Sequence, residues 1–106
     1  MINSEQAVVT GMSEVVAANA FSVPLAKLRY PGRAARRVAL ARQVAIYLAR
    51  AVVATSFGTL ARSFGRDRAT VIHAVRRVEA MRDDPQLDRM LGWLETTLRT
   101  ALEKRP

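Results

Sequence analysis

Apolar residues recur at intervals of three and four positions along most of the chain, which is the spacing that places them on one face of an α-helix. The strict alternation of apolar and polar residues that would indicate β-strands is weak. The helical stretches are separated by Gly, Pro, Ser or Asp and predict helices over residues 3 or 4–19, 23–28, 39–53, 57–64, 68–82 and 85–103. We therefore expect a single compact all-α domain, residues 1–106, of about six helices.

Residues that commonly begin or end helices stand at several of these boundaries. Ser22, Ser56 and Asp67 each precede a predicted helix, and each can accept a hydrogen bond from a backbone amide of its first turn. Gly65 follows the fourth helix, where a left-handed conformation would let the chain turn sharply. A short helix, a tight turn containing glycine and a longer helix follow one another here, and this order predicts a helix-turn-helix.

The fifth predicted helix has one apolar side and one basic side. Val71, Val75 and Val78 lie on the side expected to face the core. The opposite side holds Ala69, His73, Arg76, Arg77 and Ala80, and Arg68 and Thr70 flank it in the first turn. This side is polar and basic, with small residues that allow close approach. A helix of this kind can enter the major groove of DNA, where its first residues meet base edges. Arg68 is the candidate for a bidentate contact to guanine, and Arg76 and Arg77 are candidates for phosphate contacts.

Positive charge is concentrated in the middle of the chain. The 106 residues include 17 Lys and Arg against 9 Asp and Glu, which gives a net charge of +8. Twelve of the basic residues fall between Lys27 and Arg77, together with a single acidic residue, Asp67. This concentration favours a polyanionic partner, and nucleic acid comes first. A solvated basic surface and a membrane surface are the alternatives, but the most basic segment contains Pro31 and Gly32 and is predicted to be a loop, whereas membrane binding requires an amphipathic helix.

The composition argues against several other classes of function. The chain has no cysteine and one histidine, so neither a disulfide framework nor a cluster of metal ligands is expected. The sequence contains no nucleophile–base set and no glycine-rich phosphate loop. It also contains no apolar run long enough to span a membrane and no secretory signal. We therefore expect no enzymatic activity, cofactor, metal, membrane or small-molecule substrate, and a cytoplasmic, nucleoid-associated location.

Two segments resemble a known family. Residues 41–50 read ARQVAIYLAR and residues 64–74 read FGRDRATVIHA. Together they resemble the C-terminal DNA-binding domain of the bacterial replication initiator DnaA, and the resemblance extends over about residues 4–102. It implies an all-α domain that reads duplex DNA, with a recognition helix in the major groove and a basic loop in the adjacent minor groove.

The resemblance and the charge pattern together predict a set of DNA-binding residues. Its members are Arg33, Arg36, Arg37, Arg42, Arg66, Asp67, Arg68, Ala69, Thr70, His73, Arg76 and Arg77. The basic loop corresponds to Arg33, Arg36 and Arg37, and the family's arginine before glutamine corresponds to Arg42. Arg68 and Ala69 stand where the family has histidine and threonine. Because both family positions meet bases, we expect a target that differs from the standard DnaA box.

Three functions are compatible with this sequence. The first is a bacterial transcription regulator that reads a specific duplex, for example an activator of a phage-like or gene transfer agent cluster. The second is a regulator of replication initiation that binds sites similar to the DnaA box. The third is an adaptor whose last helix, carrying Trp93, recruits another protein, such as RNA polymerase or another regulatory protein.

Overall fold

The computed structural model describes residues 3–104 and consists of α-helices joined by short connections. The helices are α1 (Ser4–Ala20), α2 (Leu25–Arg29), α3 (Arg36–Val52), α4 (Phe57–Phe64), α5 (Arg68–Met81) and α6 (Pro85–Lys104). The predicted all-α fold with a helix-turn-helix is therefore confirmed. None of the helices in residues 3–104 is both long and apolar enough to cross a membrane.

Side-chain caps begin four of the helices. Asn3 Oδ1 accepts from the amide of Gln6 at 2.8 Å, and Ser56 Oγ accepts from the amide of Thr59 at 3.1 Å. Asp67 caps α5 in the predicted way, and Asp84 accepts from two amides at the start of α6. Each cap satisfies an amide that has no partner within its own helix, which fixes where the helix begins.

Two predicted boundaries are wrong. Ser22 does not cap the second helix, because it adopts a positive φ of 53° and the helix begins only at Leu25, with Pro24 at the N-cap. The third helix begins at Arg36, three residues before the predicted start. No glycine or proline follows Gly32 in this segment, and alanine and arginine extend helices readily. Arg36 and Arg37 consequently lie in the first turn of α3 and not in the preceding loop.

The core is arranged around α3, which contacts α1, α2, α4, α5 and α6. Its buried residues run almost without interruption along one stretch: Ala41, Val44, Ala45, Ile46, Tyr47, Leu48 and Ala49. From α5, Val71, Val75 and Val78 are buried as predicted. Leu91, Leu94 and Leu98 of α6 complete the other side. The apolar face of α5 is thus fixed against α3, and its opposite face is left to solvent.

Arg82, just after α5, ties the end of that helix to its neighbours. Its guanidinium donates from Nε to Asp88 Oδ1 at 2.5 Å and from Nη1 to Glu95 Oε1 at 2.8 Å, both on α6. It also donates to the hydroxyl of Tyr47 on α3 at 2.9 Å. The hydrogen bonds to Asp88 and Tyr47 raise the pKa of Arg82. One cation therefore joins the C-terminal end of α5 to α3 and α6.

Candidate nucleic-acid interface

The turn between α4 and α5 is built from three residues with distinct tasks. Gly65 adopts φ 65° and ψ 34°, a left-handed conformation that glycine takes without steric cost. The amides of Gly65 and Arg66 donate to the carbonyls of Arg62 and Ala61, at 3.3 and 3.0 Å, which closes the end of α4. Asp67 then caps α5, with Oδ1 2.7 Å from the amide of Thr70. This geometry fixes the angle between the two helices of the helix-turn-helix.

The exposed face of α5 carries the side chains that the sequence places there. Arg68, Ala69, Thr70, His73, Arg76, Arg77 and Ala80 are all exposed. Val71, Ala74, Val75 and Val78 are buried behind them, with at most 2% of each residue accessible. The first turn therefore presents an arginine, a methyl group and a threonine, and the next two turns present a histidine and two adjacent arginines.

Asp67 is the acidic residue at the beginning of this face. Hydrogen bonds from the hydroxyl of Thr70 and from its backbone amide lower the pKa of the Asp67 carboxyl. The carboxylate is thus held by the helix that it caps, which makes Asp67 a structural residue of the interface. Its attachment also orients Thr70 at the beginning of α5.

A second group of basic residues lies before and at the beginning of α3. Arg33 is in the connection that follows α2, and Arg36 and Arg37 are the first two residues of α3; all three side chains are exposed. Within residues 3–104, no carboxylate forms an ion pair with these arginines or with Arg68, Arg76 and Arg77. Six arginines are thus available to an anionic partner.

Arg42 and Arg66 are used differently from the other predicted contacts. Arg42 donates from Nε to the carbonyl of Leu28 and from Nη2 to the carbonyl of Tyr30, both at 2.9 Å. Arg66 donates to the carbonyls of Tyr30 and Pro31 at 2.9 and 3.1 Å. Partial burial and the nearby charge of Arg66 lower the pKa of Arg42. The structure thus brings these two arginines together on the backbone, while Arg33, Arg36 and Arg37 extend into solvent.

Tyr30 is a residue of this region that sequence reasoning did not select. Its ring is exposed, and it lies over Gly32 so closely that a Cβ at position 32 would come within 2.5 Å of Cε2. Tyr30, Lys27, Arg33 and Ala35 line an open depression of about 260 Å³. The signal available in the sequence was an aromatic residue two positions before a glycine within the most basic segment.

Within residues 3–104, no group of three or more His, Asp or Glu side chains is placed to hold a metal ion.

A family described as the bacterial dnaA protein helix-turn-helix matches residues 12–78. The chain belongs to this family. The matched segment runs from the middle of α1 to Val78 of α5, so it includes the turn between α4 and α5 and all twelve of the predicted DNA-binding residues. It ends before α6.

Individual relatives of the DnaA family agree with this assignment. The chain is 43% identical over 82 residues to the chromosomal replication initiator protein DnaA of Anaplasma marginale, which covers 76% of this chain and 17% of the relative. It is 47% identical over 68 residues to the same initiator of Sphingopyxis alaskensis, covering 62% of this chain and 15% of the relative. The chain thus matches about a sixth of the length of these initiators.

A solved structure is similar to almost the whole chain. The crystal structure of a DNA replication initiation factor superposes with a TM-score of 0.78 at 32% sequence identity. The superposition covers 92% of this chain and 30% of that structure. Since 92% coverage reaches beyond residues 12–78, the arrangement of helices shared with that structure includes more of the chain than the family match does.

Proposed function

We propose that this domain binds duplex DNA in a sequence-specific manner, with α5 in the major groove and the segment around Arg33, Arg36 and Arg37 at the adjacent minor groove. The observation that carries the proposal is the exposed, basic and carboxylate-poor face of α5. This face points to solvent because Val71 and Val75, on the opposite side of the helix, are buried in the core. Membership of the DnaA helix-turn-helix family supports the same docking.

The first turn of α5 is the part that meets bases in this proposal. Arg68 offers two parallel donors to the O6 and N7 atoms of guanine. Ala69 permits close approach, and Thr70 offers its methyl group to thymine. Arg76 and Arg77 lie two turns further along and neutralise phosphates, as do the arginines at the beginning of α3. Base contacts then select the sequence, while phosphate contacts supply most of the salt-dependent affinity.

We further propose that this binding regulates transcription, and that the protein acts on the nucleoid in the cytoplasm. The support is that Arg68 and Ala69 replace the histidine and threonine of the DnaA pattern, which favours a target other than the initiator's own box. Regulation of replication initiation is the second candidate, favoured by the relatives, which are chromosomal replication initiators.

A protein partner, such as RNA polymerase or another regulator, would have to meet a different surface. Trp93 on α6 is the candidate anchor, since 69% of the residue is exposed. It borders an open depression that Val16, Ala20 and Leu94 also line. An adaptor function would require this surface and would not require α5.

Selection from a random duplex library tests the DNA-binding proposal. The wild-type protein should enrich one motif, and Arg68→Ala should enrich a motif that has lost information at one or two positions while the remainder is kept. Arg89→Ala, which changes an exposed arginine of α6, is the matched control and should leave the motif intact. Absence of enrichment by the wild-type protein would overturn the proposal.

A genome-wide binding map distinguishes the two regulatory candidates. Occupancy at promoters, with altered transcription of the adjacent genes on deletion, would support transcription regulation. Occupancy confined to initiator sites near the replication origin would favour replication control and exclude the first candidate.

A further inference from the structure

We infer that Arg42 and Arg66 are positioning residues, which hold the basic segment before α3 in register with α5 by sharing the carbonyl oxygen of Tyr30. This inference rests on the proposed DNA binding, because it concerns how two DNA-contacting segments are aligned. It assigns to these two arginines an indirect effect on binding, in place of the direct DNA contact expected from the sequence.

The geometry centres on one acceptor. The carbonyl of Tyr30 receives Nη2 of Arg42 and Nη2 of Arg66, each at 2.9 Å. Arg42 comes from the second turn of α3, twelve residues further along the chain, and Arg66 from the turn before α5, thirty-six residues further along. A single backbone atom is therefore bound by the helix that carries Arg36 and by the turn that leads into the recognition helix.

Neighbouring carbonyls strengthen the attachment. Arg42 also donates from Nε to Leu28 at 2.9 Å and from Nη2 to Lys27 at 3.4 Å, while Arg66 donates from Nη1 to Pro31 at 3.1 Å. These carbonyls stand at the end of α2 and in the chain that follows it. The carbonyl of Lys27 also accepts from the amide of Tyr30 at 3.3 Å, whereas the carbonyls of Leu28 and Pro31 lie beyond the reach of the amides of α2. The guanidinium groups thus add side-chain donors to the end of α2.

The donors must be arginines for this arrangement to form. A guanidinium is a planar fork that reaches two carbonyls at once, whereas a lysine ammonium is a point charge on a flexible stem. Within residues 3–104, no carboxylate forms an ion pair with Arg42 or Arg66. The two guanidinium groups can lie close together because both donate hydrogen bonds to the same backbone carbonyl, whose negative end offsets their repulsion.

The consequence concerns Arg33, which follows the bound residues by two positions. The carbonyls of Tyr30 and Pro31 are hydrogen-bonded to Arg66 in the turn before α5. The backbone that leads to Arg33 is therefore held in a fixed position relative to the helix-turn-helix. Loss of the Arg66 hydrogen bonds would free the backbone at Tyr30 and Pro31 to move relative to α5. Arg33 would then lose its alignment with the groove, although its charge and that of residue 66 would remain.

The test is Arg66→Lys, which keeps the charge and removes the fork. Affinity for the selected duplex should fall about tenfold, the effect of about one charge-assisted hydrogen bond, and the magnitude of the salt slope should fall by up to about 0.9 as the contact of Arg33 is lost. A direct phosphate contact predicts the opposite: Arg66→Lys should retain most of the affinity, and Arg66→Gln should reduce the magnitude of the slope by about 0.9. Arg42→Lys provides a second variant with the same expected result.

A double-mutant cycle tests the route of the effect. The factor by which Arg33→Ala weakens binding should be at least about three times smaller in the Arg66→Lys background than in the wild-type background. The reason is that a misaligned Arg33 already contributes less to the affinity. Arg77→Ala is the matched control, since α5 keeps its cap and its core packing; its effect should be equal in both backgrounds. Additive effects of Arg33→Ala and Arg66→Lys would overturn the inference.

Hydrogen exchange in the free protein separates this inference from the proposed function. The hydrogen-bonded backbone amides beside the attachment, those of Leu28 and Tyr30, should exchange faster in Arg66→Lys than in the wild-type protein, while the amides of α5 keep their rates. Unchanged exchange at Leu28 and Tyr30 would refute the positioning role even if the duplex is bound. A wild-type protein that binds no duplex would instead refute the proposed function, and the exchange result would still decide whether the attachment exists.

Discussion

The sensitivity of duplex binding to salt is set by the arginines that the fold leaves unpaired. Six exposed arginines of the proposed interface form no ion pair with any residue from 3 to 104: Arg33, Arg36, Arg37, Arg68, Arg76 and Arg77. Each phosphate neutralised by such a group contributes about −0.9 to the slope of the logarithm of the binding constant against the logarithm of salt concentration. If all six engage DNA, the slope is about −5.

This slope corresponds to a large and easily measured change. Raising sodium chloride fourfold, from about 0.1 to about 0.4 M, should weaken binding about a thousandfold. Fluorescence anisotropy with a labelled duplex at a series of salt concentrations measures it. Arg36→Gln removes one unpaired charge at the beginning of α3 and should reduce the magnitude of the slope by about 0.9.

The control for this series is Arg89→Gln, an exposed arginine of α6 that lies outside the proposed interface. It changes the net charge of the protein by the same amount and should leave the slope as it is. A wild-type slope smaller in magnitude than about 2 would refute the account, since most of the six arginines would then make no phosphate contact. Equal effects of Arg36→Gln and Arg89→Gln would refute the proposed orientation on DNA.

Three further predictions concern the scaffold. Arg82→Met should destabilise the domain by about 2 kcal/mol, because the arginine side chain is 26% exposed and its loss leaves two carboxylates unpaired. Arg89→Met should change the free energy of unfolding little, and urea unfolding measures both variants. Val71→Ala, at a fully buried site, should cost about 2 kcal/mol and lower the melting temperature by about 10 °C; no change would contradict its position in the core. The lowered pKa of Asp67 means that its carboxylate stabilises the fold above the usual aspartate pKa of about 3.9 and that this contribution is lost as the pH falls through the lower pKa of the folded state. Acid titration of unfolding should therefore be steeper for the wild-type protein than for Asp67→Asn, and identical curves would contradict the cap.

The helix-turn-helix was the most predictable part of the fold, because its boundaries are determined locally. Ser56, Gly65 and Asp67 stand within a few residues of the amides and carbonyls that they satisfy, so sequence alone indicates where α4 ends and α5 begins. The beginnings of α2 and α3 were less predictable. Val23 is bound through its amide to Ala18 of the preceding helix, which leaves Ser22 in the connection between the helices and away from a capping position.

The candidate site likewise has one part that the sequence predicts and one part that it does not. The exposed face of α5 follows from helical periodicity and the position of its valines, and the structure bears out which residues are buried there. The use of Arg42 and Arg66 does not follow from periodicity. Their acceptor, the carbonyl of Tyr30, is twelve and thirty-six residues away, and it comes within reach because α2, α4 and α5 all pack against α3.

Tethered cleavage tests the proposed docking on DNA most directly. The chain has no cysteine, so Ala69→Cys, Ala35→Cys and Thr100→Cys each create a single attachment point for an iron chelate that cleaves nearby DNA. The account predicts cleavage within the selected motif from residue 69, cleavage at the adjacent minor groove from residue 35 and none from residue 100 on α6. Cleavage from residue 100 with none from residue 69 would contradict the assignment of α5 as the recognition helix.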